Sequence, residues 1–251
     1  MVLKRIIPSL LYNRNGLVKT TNFKNPVYIG DPINSIRIFN NKKVDEISII
    51  DIEASKRGLK PDFKKISECA SECFSPMSYG GGVKSMDDFY QLFKSGIEKV
   101  AVNTLIIENP ELVILAVKEF GSSSIIGSVD VKSNVFNKQK VYGYKGTKFG
   151  KSVSSYCKYL SEDIGVGELL LTSVNREGTW KGADISMINE ITNAIKIPVV
   201  YSGGINSIDN INEVFNLGRI SGVAIGNMAV YQKKGMGVLL SYPDEKLINR
   251  N

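Results

Sequence analysis

The chain has 251 residues, 43% hydrophobic and 23% charged, a length and balance suited to one packed domain over residues 1–251. No apolar run approaches the roughly 18 residues of a membrane span, and the opening Met-Val-Leu-Lys-Arg-Ile-Ile-Pro is too short an apolar stretch for a signal peptide, so a cytoplasmic protein without a membrane role is expected. The net charge of +7 is spread without a basic tract or interleaved aromatics, which argues against nucleic acid and for a lysine-rich surface, with anionic small substrates second.

Taken in order, apolar runs of strand length occur at Arg5–Leu11, Glu46–Asp51, Pro76–Tyr79, Lys99–Asn103, Ser124–Asp130, Glu168–Ser173, Pro198–Tyr201 and Gly222–Ile225. Helical patterns lie between them, among them Ser85–Lys94, Pro110–Glu119, Ser152–Glu162 and Ile208–Asn216. Eight strands alternating with helices over this length predict a (β/α)8 TIM barrel, with a doubly wound open sheet as the alternative. The polar stretch Asn134–Gly150 is a candidate hairpin lid after the fifth strand, and Ser241–Asn251 a helix remnant or frayed tail.

There is no histidine. Its absence removes Ser-His-Asp chemistry and imidazole acid–base catalysis, and leaves Cys69, Cys73 and Cys157 without the partner of a metal or Cys-His site. The cysteines read as structural thiols, and neither metal nor cofactor is expected. Any proton transfer falls to carboxylates, lysine, tyrosine or the substrate.

The chain repeats itself. Ser78-Tyr79-Gly80-Gly81-Gly82-Val83-Lys84-Ser85 returns as Tyr201-Ser202-Gly203-Gly204-Ile205-Asn206-Ser207, and an offset of 122 residues takes Gly81, Gly82 and Ser85 onto Gly203, Gly204 and Ser207. The same offset takes Glu46 onto Glu168 and Gly96 onto Gly218, and Ala101-Val102-Asn103-Thr104 returns as Ala224-Ile225-Gly226-Asn227 one residue further on. Two half-barrels are implied. Each echo is a strand ending in glycines before an amphipathic stretch. That form suits either a strand-to-helix turn needing positive φ or a phosphate cradle, and two matching places favour phosphate.

Barrel chemistry sits at the C-terminal strand ends. Asp130 closes the apolar run Ile125-Ile126-Gly127-Ser128-Val129. It is either a helix cap or contact to Lys132, or a general acid/base. Its counterpart in Ile6-Ile7-Pro8-Ser9-Leu10-Leu11 is Leu11, so a paired-carboxylate site lacks one acid. At the opposite ends Arg5, Glu46, Lys99 and Glu168 each start a strand. They are either solvated charges or a polar gate through the floor.

These residues closely resemble the cyclase subunit of imidazole glycerol phosphate synthase, the HisF family. The matching runs are Lys4-Arg5-Ile6-Ile7-Pro8, Lys19-Thr20-Thr21-Asn22-Phe23, Gly30-Asp31-Pro32, Gly80-Gly81-Gly82, Leu171-Thr172-Ser173 and Gly178-Thr179, and the likeness extends from Lys4 to about Tyr231. The sister isomerase of histidine biosynthesis, another doubled barrel, is second choice. The resemblance implies a glutamine amidotransferase in which a separate glutaminase docks on the barrel floor. Ammonia then passes a gate of Arg5, Glu46, Lys99 and Glu168 to a bis-phosphorylated substrate. Phosphate sites fall on Gly81, Gly82, Asn103 and Thr104 in one half, and on Gly178, Gly203, Gly204, Gly226 and Asn227 in the other. Lys19 matches a loop lysine over the substrate and Asp130 one of two catalytic aspartates. The other aspartate's place is taken by Leu11, and a further acidic position after strand six survives as Glu177. The expectation is therefore a divergent branch that delivers ammonia to a separate ATP-using sugar amidotransferase for acetamidino modification of a surface glycan. A genuine cyclase using Asp130 with Glu177, and a non-catalytic phosphometabolite-binding barrel, are the alternatives.

Overall fold

The computed structural model describes residues 4–134, 138–143 and 152–250. The barrel strands are β1 (Arg5–Tyr12), β2 (Ile47–Asp51), β3 (Met77–Gly80), β4 (Lys99–Val102), β5 (Ile125–Ser133), β6 (Glu168–Ser173), β7 (Val199–Ser202) and β8 (Ile220–Ile225). Each pairs in parallel with the next. The ring closes where Arg5 to Pro8 of β1 pair with Gly222 to Ile225 of β8. Closure removes both sheet edges and decides for the (β/α)8 barrel over an open sheet.

The crossover helices begin where the sequence offers a cap. Asp31, Asp62, Ser85, Asn109, Ser152, Asp184 and Ser207 each accept a hydrogen bond from the backbone N–H three residues on. Each satisfies one of the orphan donors of its helix start. The helices that follow are Pro32–Asn41, Phe63–Glu72, Met86–Lys94, Pro110–Phe120, Val153–Tyr159, Ile185–Ala194 and Ile208–Phe215. They bury residues such as Phe39, Phe89, Val113, Ile188 and Phe215 against the outside of the barrel. Among the described residues, no helix is long and apolar enough to cross a membrane.

Four segments refine the sequence reading or depart from it. Leu17–Thr21 and Lys24–Gly30 form an unpredicted antiparallel hairpin that pairs back onto the end of β1, Leu11 with Val18. The helix expected over Ser152–Glu162 is present but changes form: it is α-helical over Val153–Tyr159 and widens into a π-turn at Leu160–Ile164. Within the Asn134–Gly150 lid, Gln139–Val141 pairs with β5, while residues 135–137 and 144–150 lie outside the described residues. The C-terminal stretch does not fray. It makes a short 3-10 turn at Glu245–Leu247 and straps the floor. Tyr242 Oη lies 3.0 Å from Ile6 O and 2.9 Å from Asp45 Oδ2, and Arg250 forks onto both oxygens of Asp45.

Candidate functional site

The glycine turns superpose in conformation. φ is +118° and +75° at Gly81 and Gly82, and +116° and +83° at Gly203 and Gly204. A Cβ at Gly81 would collide with Asp51 O, and one at Gly203 would lie 2.7 Å from Ser173 O. Each turn thus presses on the end of the strand before it, at positions that the repeat makes equivalent. Only glycine fits such a place. Ser85 and Ser207 then cap the following helices through Asp88 N and Asn210 N.

Above these turns lies a cavity of about 280 Å³ at the C-terminal strand ends. Lys19, Gly81, Gly82, Asn103, Thr104, Asp130, Glu177, Gly178, Gly203, Gly204, Gly226 and Asn227 all line it, as does Leu11. Of its three carboxylates, Asp51, Asp130 and Glu177, two are committed elsewhere. Asp51 accepts from Arg14 Nε at 2.9 Å and from the N–H groups of Glu53 and Ala54. Glu177 accepts from Thr20 Oγ1 at 2.8 Å and from Phe23 N at 2.9 Å, so both its oxygens hold the hairpin down rather than face a ligand. That placement disfavours Glu177 as a substitute acid.

Asp130 caps no helix, and Lys132 turns away to lie 5.1 Å from the centre of the Tyr142 ring. Burial pushes the Asp130 carboxyl up to about 7, against the opposing hydrogen bonds of Thr172 and Asn103, whose Nδ2 donates at 3.0 Å. Lys19 is only 4% exposed, and its Nζ donates to Ser9 O at 2.6 Å. Burial lowers this ammonium to about 8, with Glu177 pulling the other way. Asn227 Nδ2 donates to Gly178 O, tying the loop after β6 to the end of β8.

The opposite end of the barrel gathers four charges. Arg5 pairs with Glu46 at 2.5 Å and also with Glu168, while Lys99 pairs with Glu168 at 2.9 Å and Glu46 at 3.6 Å. Ser221 Oγ adds a hydrogen bond to Glu168 at 2.8 Å. Burial alone would raise the Glu168 carboxyl, but Arg5 and Lys99 outweigh it and hold the group below its ordinary value. Between this quartet and the top cavity lies a void of about 10 Å³, the size of one small molecule such as water. It touches Glu46 at one end and shares Ala101, Leu170 and Ala224 with the top cavity.

Residues 5–235 match the family model described as histidine biosynthesis protein. The chain belongs to this family. It is 40% identical over 244 residues to the "Putative imidazole glycerol phosphate synthase subunit hisF2" of Pseudomonas aeruginosa, covering 97% of both chains. It is also 38% identical over 217 residues to the "Imidazole glycerol phosphate synthase subunit HisF" of Lactococcus lactis subsp. cremoris, covering 86% of this chain and 83% of that one. These likenesses agree with the barrel and with a HisF-like subunit.

Sequence reasoning missed several residues that line the same cavity, including Ser55, Thr172 and Trp180. It also missed Arg14, which occupies Asp51. A signal was present for two of them. The offset of 122 takes Ser55 onto Glu177 and Gly58 onto Trp180. Among the described residues, no group of three or more His, Cys, Asp or Glu side chains is placed to hold a metal. Burial pushes the Cys69 and Cys157 thiols up to about 12, which keeps both protonated and inert at neutral pH.

Proposed function

We propose that this chain is the barrel subunit of a glutamine amidotransferase that carries ammonia from a glutaminase on its floor to a phosphorylated ligand at its top. The floor ion pairs hold Glu46 and Glu168 buried at the barrel mouth, and the void above them has room for a molecule of ammonia's size. At the top, the two glycine cradles suit phosphate groups through their backbone N–H donors.

The observation that carries the finer reading is the unpaired carboxyl. Cyclisation in the resembling synthase uses two carboxylates together. Here Leu11 faces the cavity where one would stand, Asp51 is bound by Arg14, and Glu177 anchors the hairpin. General acid–base groups contribute typically ~10²–10⁴-fold each, so losing one cripples the reaction. The chain therefore delivers ammonia without cyclising, and a separate sugar amidotransferase uses it for acetamidino modification of a surface glycan.

The test is turnover of the synthase's bis-phosphorylated substrate with free ammonium as the nitrogen source. The parent chain should show none, and Leu11→Asp should gain a measurable rate. The chain should also bind and stimulate a glutaminase, and Lys99→Ala should impair transfer of its ammonia. Clear turnover by the parent overturns the delivery reading. It would favour a second one, a working cyclase in which the buried Lys19 amine serves beside Asp130. Their values of about 8 and about 7 predict a rate confined to a narrow range around neutral pH.

A further inference from the structure

The C-terminal strap grips the backbone on both sides of one floor charge. Arg250 Nη1 donates to Lys4 O at 2.8 Å. Tyr242 Oη lies 3.0 Å from Ile6 O, and Ile6 N donates to Asp45 Oδ2 at 2.8 Å. Arg5 stands between Lys4 and Ile6. The strap also fixes the residue before Glu46: Asp45 N donates to Tyr242 Oη at 3.2 Å, and the Arg250 fork meets the Asp45 carboxylate at 3.0 and 2.9 Å. A bidentate Arg–carboxylate pair is among the stronger and more directional of polar contacts.

The other half sets its floor charge in another way. The offset of 122 takes Asp45 and Glu46 onto Gly167 and Glu168, and Gly167 has no side chain to hook a distant segment. Its N–H donates to Ser122 O at 2.9 Å and to Ile125 O at 3.2 Å, and a Cβ there would collide with Ser122 O. Ser122–Ser124 is the 3-10 turn that leads into β5, so Glu168 is placed by the entry to the neighbouring strand. The strap has its own anchor on the helix Ile208–Phe215, where Asn212 Nδ2 donates to Leu247 O at 3.0 Å and Asn212 Oδ1 accepts from Asn249 N at 2.8 Å.

We propose that Tyr242 and Arg250 are positioning residues of the floor gate: through Lys4, Ile6 and Asp45 they hold Arg5 against Glu46, and release of the strap frees the Arg5 side of the gate while Lys99 stays on Glu168. This rests on the reading of the floor quartet as a gate, and adds what sets it. An arginine side chain has much rotamer freedom to lose, so its head stays on a carboxylate only where the backbone beneath it is fixed. Lys4 O, Ile6 N and Ile6 O flank Arg5, and all three are bonded to the strap or to Asp45. A glutaminase that shifted the strap would therefore move one side of the gate without touching it.

Nuclear magnetic resonance of the full chain, labelled in its arginines and lysines, reads the gate without any partner. The Arg5 and Lys99 signals are those lost in Arg5→Lys and Lys99→Arg. In Arg250→Ala the Arg5 guanidinium protons should exchange with solvent at least ~10-fold faster than in the parent. The Lys99 Nζ shift and the exchange of β4 and β6 backbone amides should stay as they are. Asn212→Ala loosens the strap without removing a charge from Asp45, and should speed Arg5 exchange as well. Unchanged Arg5 exchange in both variants would overturn the proposal. So would a rise shared equally by the β4 and β6 amides, which would make the strap a general stabiliser of the barrel. Lys99→Ala leaves the strap's own bonds in place and tests the gate through ammonia transfer, so the two readings fail separately.

Discussion

The two half-barrels share a backbone and divide the chemistry. Their glycine turns agree in φ to within about ten degrees, their cap serines bond equivalent N–H groups, and their floor glutamates meet in one ion-pair cluster. At the top they part. The first half offers Leu11, an Asp51 held by Arg14, and Gly58. The second offers Asp130, Ser173 and Trp180. Duplication fixed the positions that hold the barrel together and left the strand ends free to diverge, so comparing equivalent positions separates scaffold from site.

The largest effect should come where the halves agree most. Alanine at Gly81 or Gly203 would take a φ near +117° that a side chain resists and would press Cβ into the preceding strand end. Each should cost roughly 3–5 kcal/mol, strain and overpacking together. Gly81→Ala should be the worse, because its contact with Asp51 O is the closer. Urea denaturation checks this; similar stability of either variant to the parent would mean the turns relax and the repeat is less constrained than it looks.

The floor glutamates come next, and here the halves differ in one partner. Glu168 has Arg5, Lys99 and Ser221, whereas Glu46 has Arg5 and Lys99. Glu168→Gln should cost roughly 2–4 kcal/mol at pH 7, by leaving Arg5 and Lys99 to share one carboxylate, and Glu46→Gln less. Since the folded Glu168 carboxyl sits below its ordinary 4.5, its contribution is complete above that pH and is lost as pH falls through the lower folded value. Parent and Glu168→Gln stabilities should therefore converge in acid. A gap that stayed constant down to pH 3 would place the stabilisation elsewhere.

Much of this was legible in the sequence. Runs ending in Asp51, Asp130 and Ser173 marked strands, and the fixed offset marked the barrel as doubled. The hairpin after β1 was not legible because Lys24–Gly30 is largely exposed and carries no alternating apolar pattern. The strap could not be foreseen either. Asp45, Tyr242 and Arg250 meet only across about 200 residues of chain, and nothing local marks them. The same holds at the site. Asp130 stood out because a carboxylate ends an apolar run, but the loss of Asp51 to Arg14 and of Glu177 to the hairpin is a matter of tertiary contact.

Asp130 and Leu11 set the third comparison. A carboxyl with a folded value of about 7 and an ordinary one of 3.8 binds more protons folded than unfolded between those limits. Stability then falls as pH rises from about 4 to 7 and is level beyond. Asp130→Asn removes that slope, so it should match the parent near pH 4 and become the more stable of the two as pH rises to 8. Leu11→Asn, the same amide in the other half, should shift stability without any such slope. Denaturation midpoints at pH 4, 6 and 8 decide; a less stable Asp130→Asn at pH 8 would show that Asn103 and Thr172 more than offset the burial of the charge.

The smallest effect falls on the tyrosines. Tyr79 and Tyr201 are equivalent, and both are almost fully buried. Tyr201 Oη donates to Gly203 O at 2.8 Å and accepts from Asp184 N at 2.9 Å, which ties the glycine turn to the cap of the helix Ile185–Ala194. The equivalent cap residue in the first half, Asp62, instead takes Tyr12 Oη at 3.2 Å and faces Arg14. Tyr79 Oη has no hydrogen-bond partner among the described residues. Tyr201→Phe should thus cost ~1–2 kcal/mol, since it strands a buried carbonyl and N–H. Tyr79→Phe should stay within about 0.5 kcal/mol of the parent or stabilise it, since it removes a buried hydroxyl that bonds to no protein group. Equal losses at the two sites would mean that a water satisfies Tyr79 as fully as Gly203 and Asp184 satisfy Tyr201. The first half would then have kept its polar link between turn and helix cap by other means when Arg14 entered.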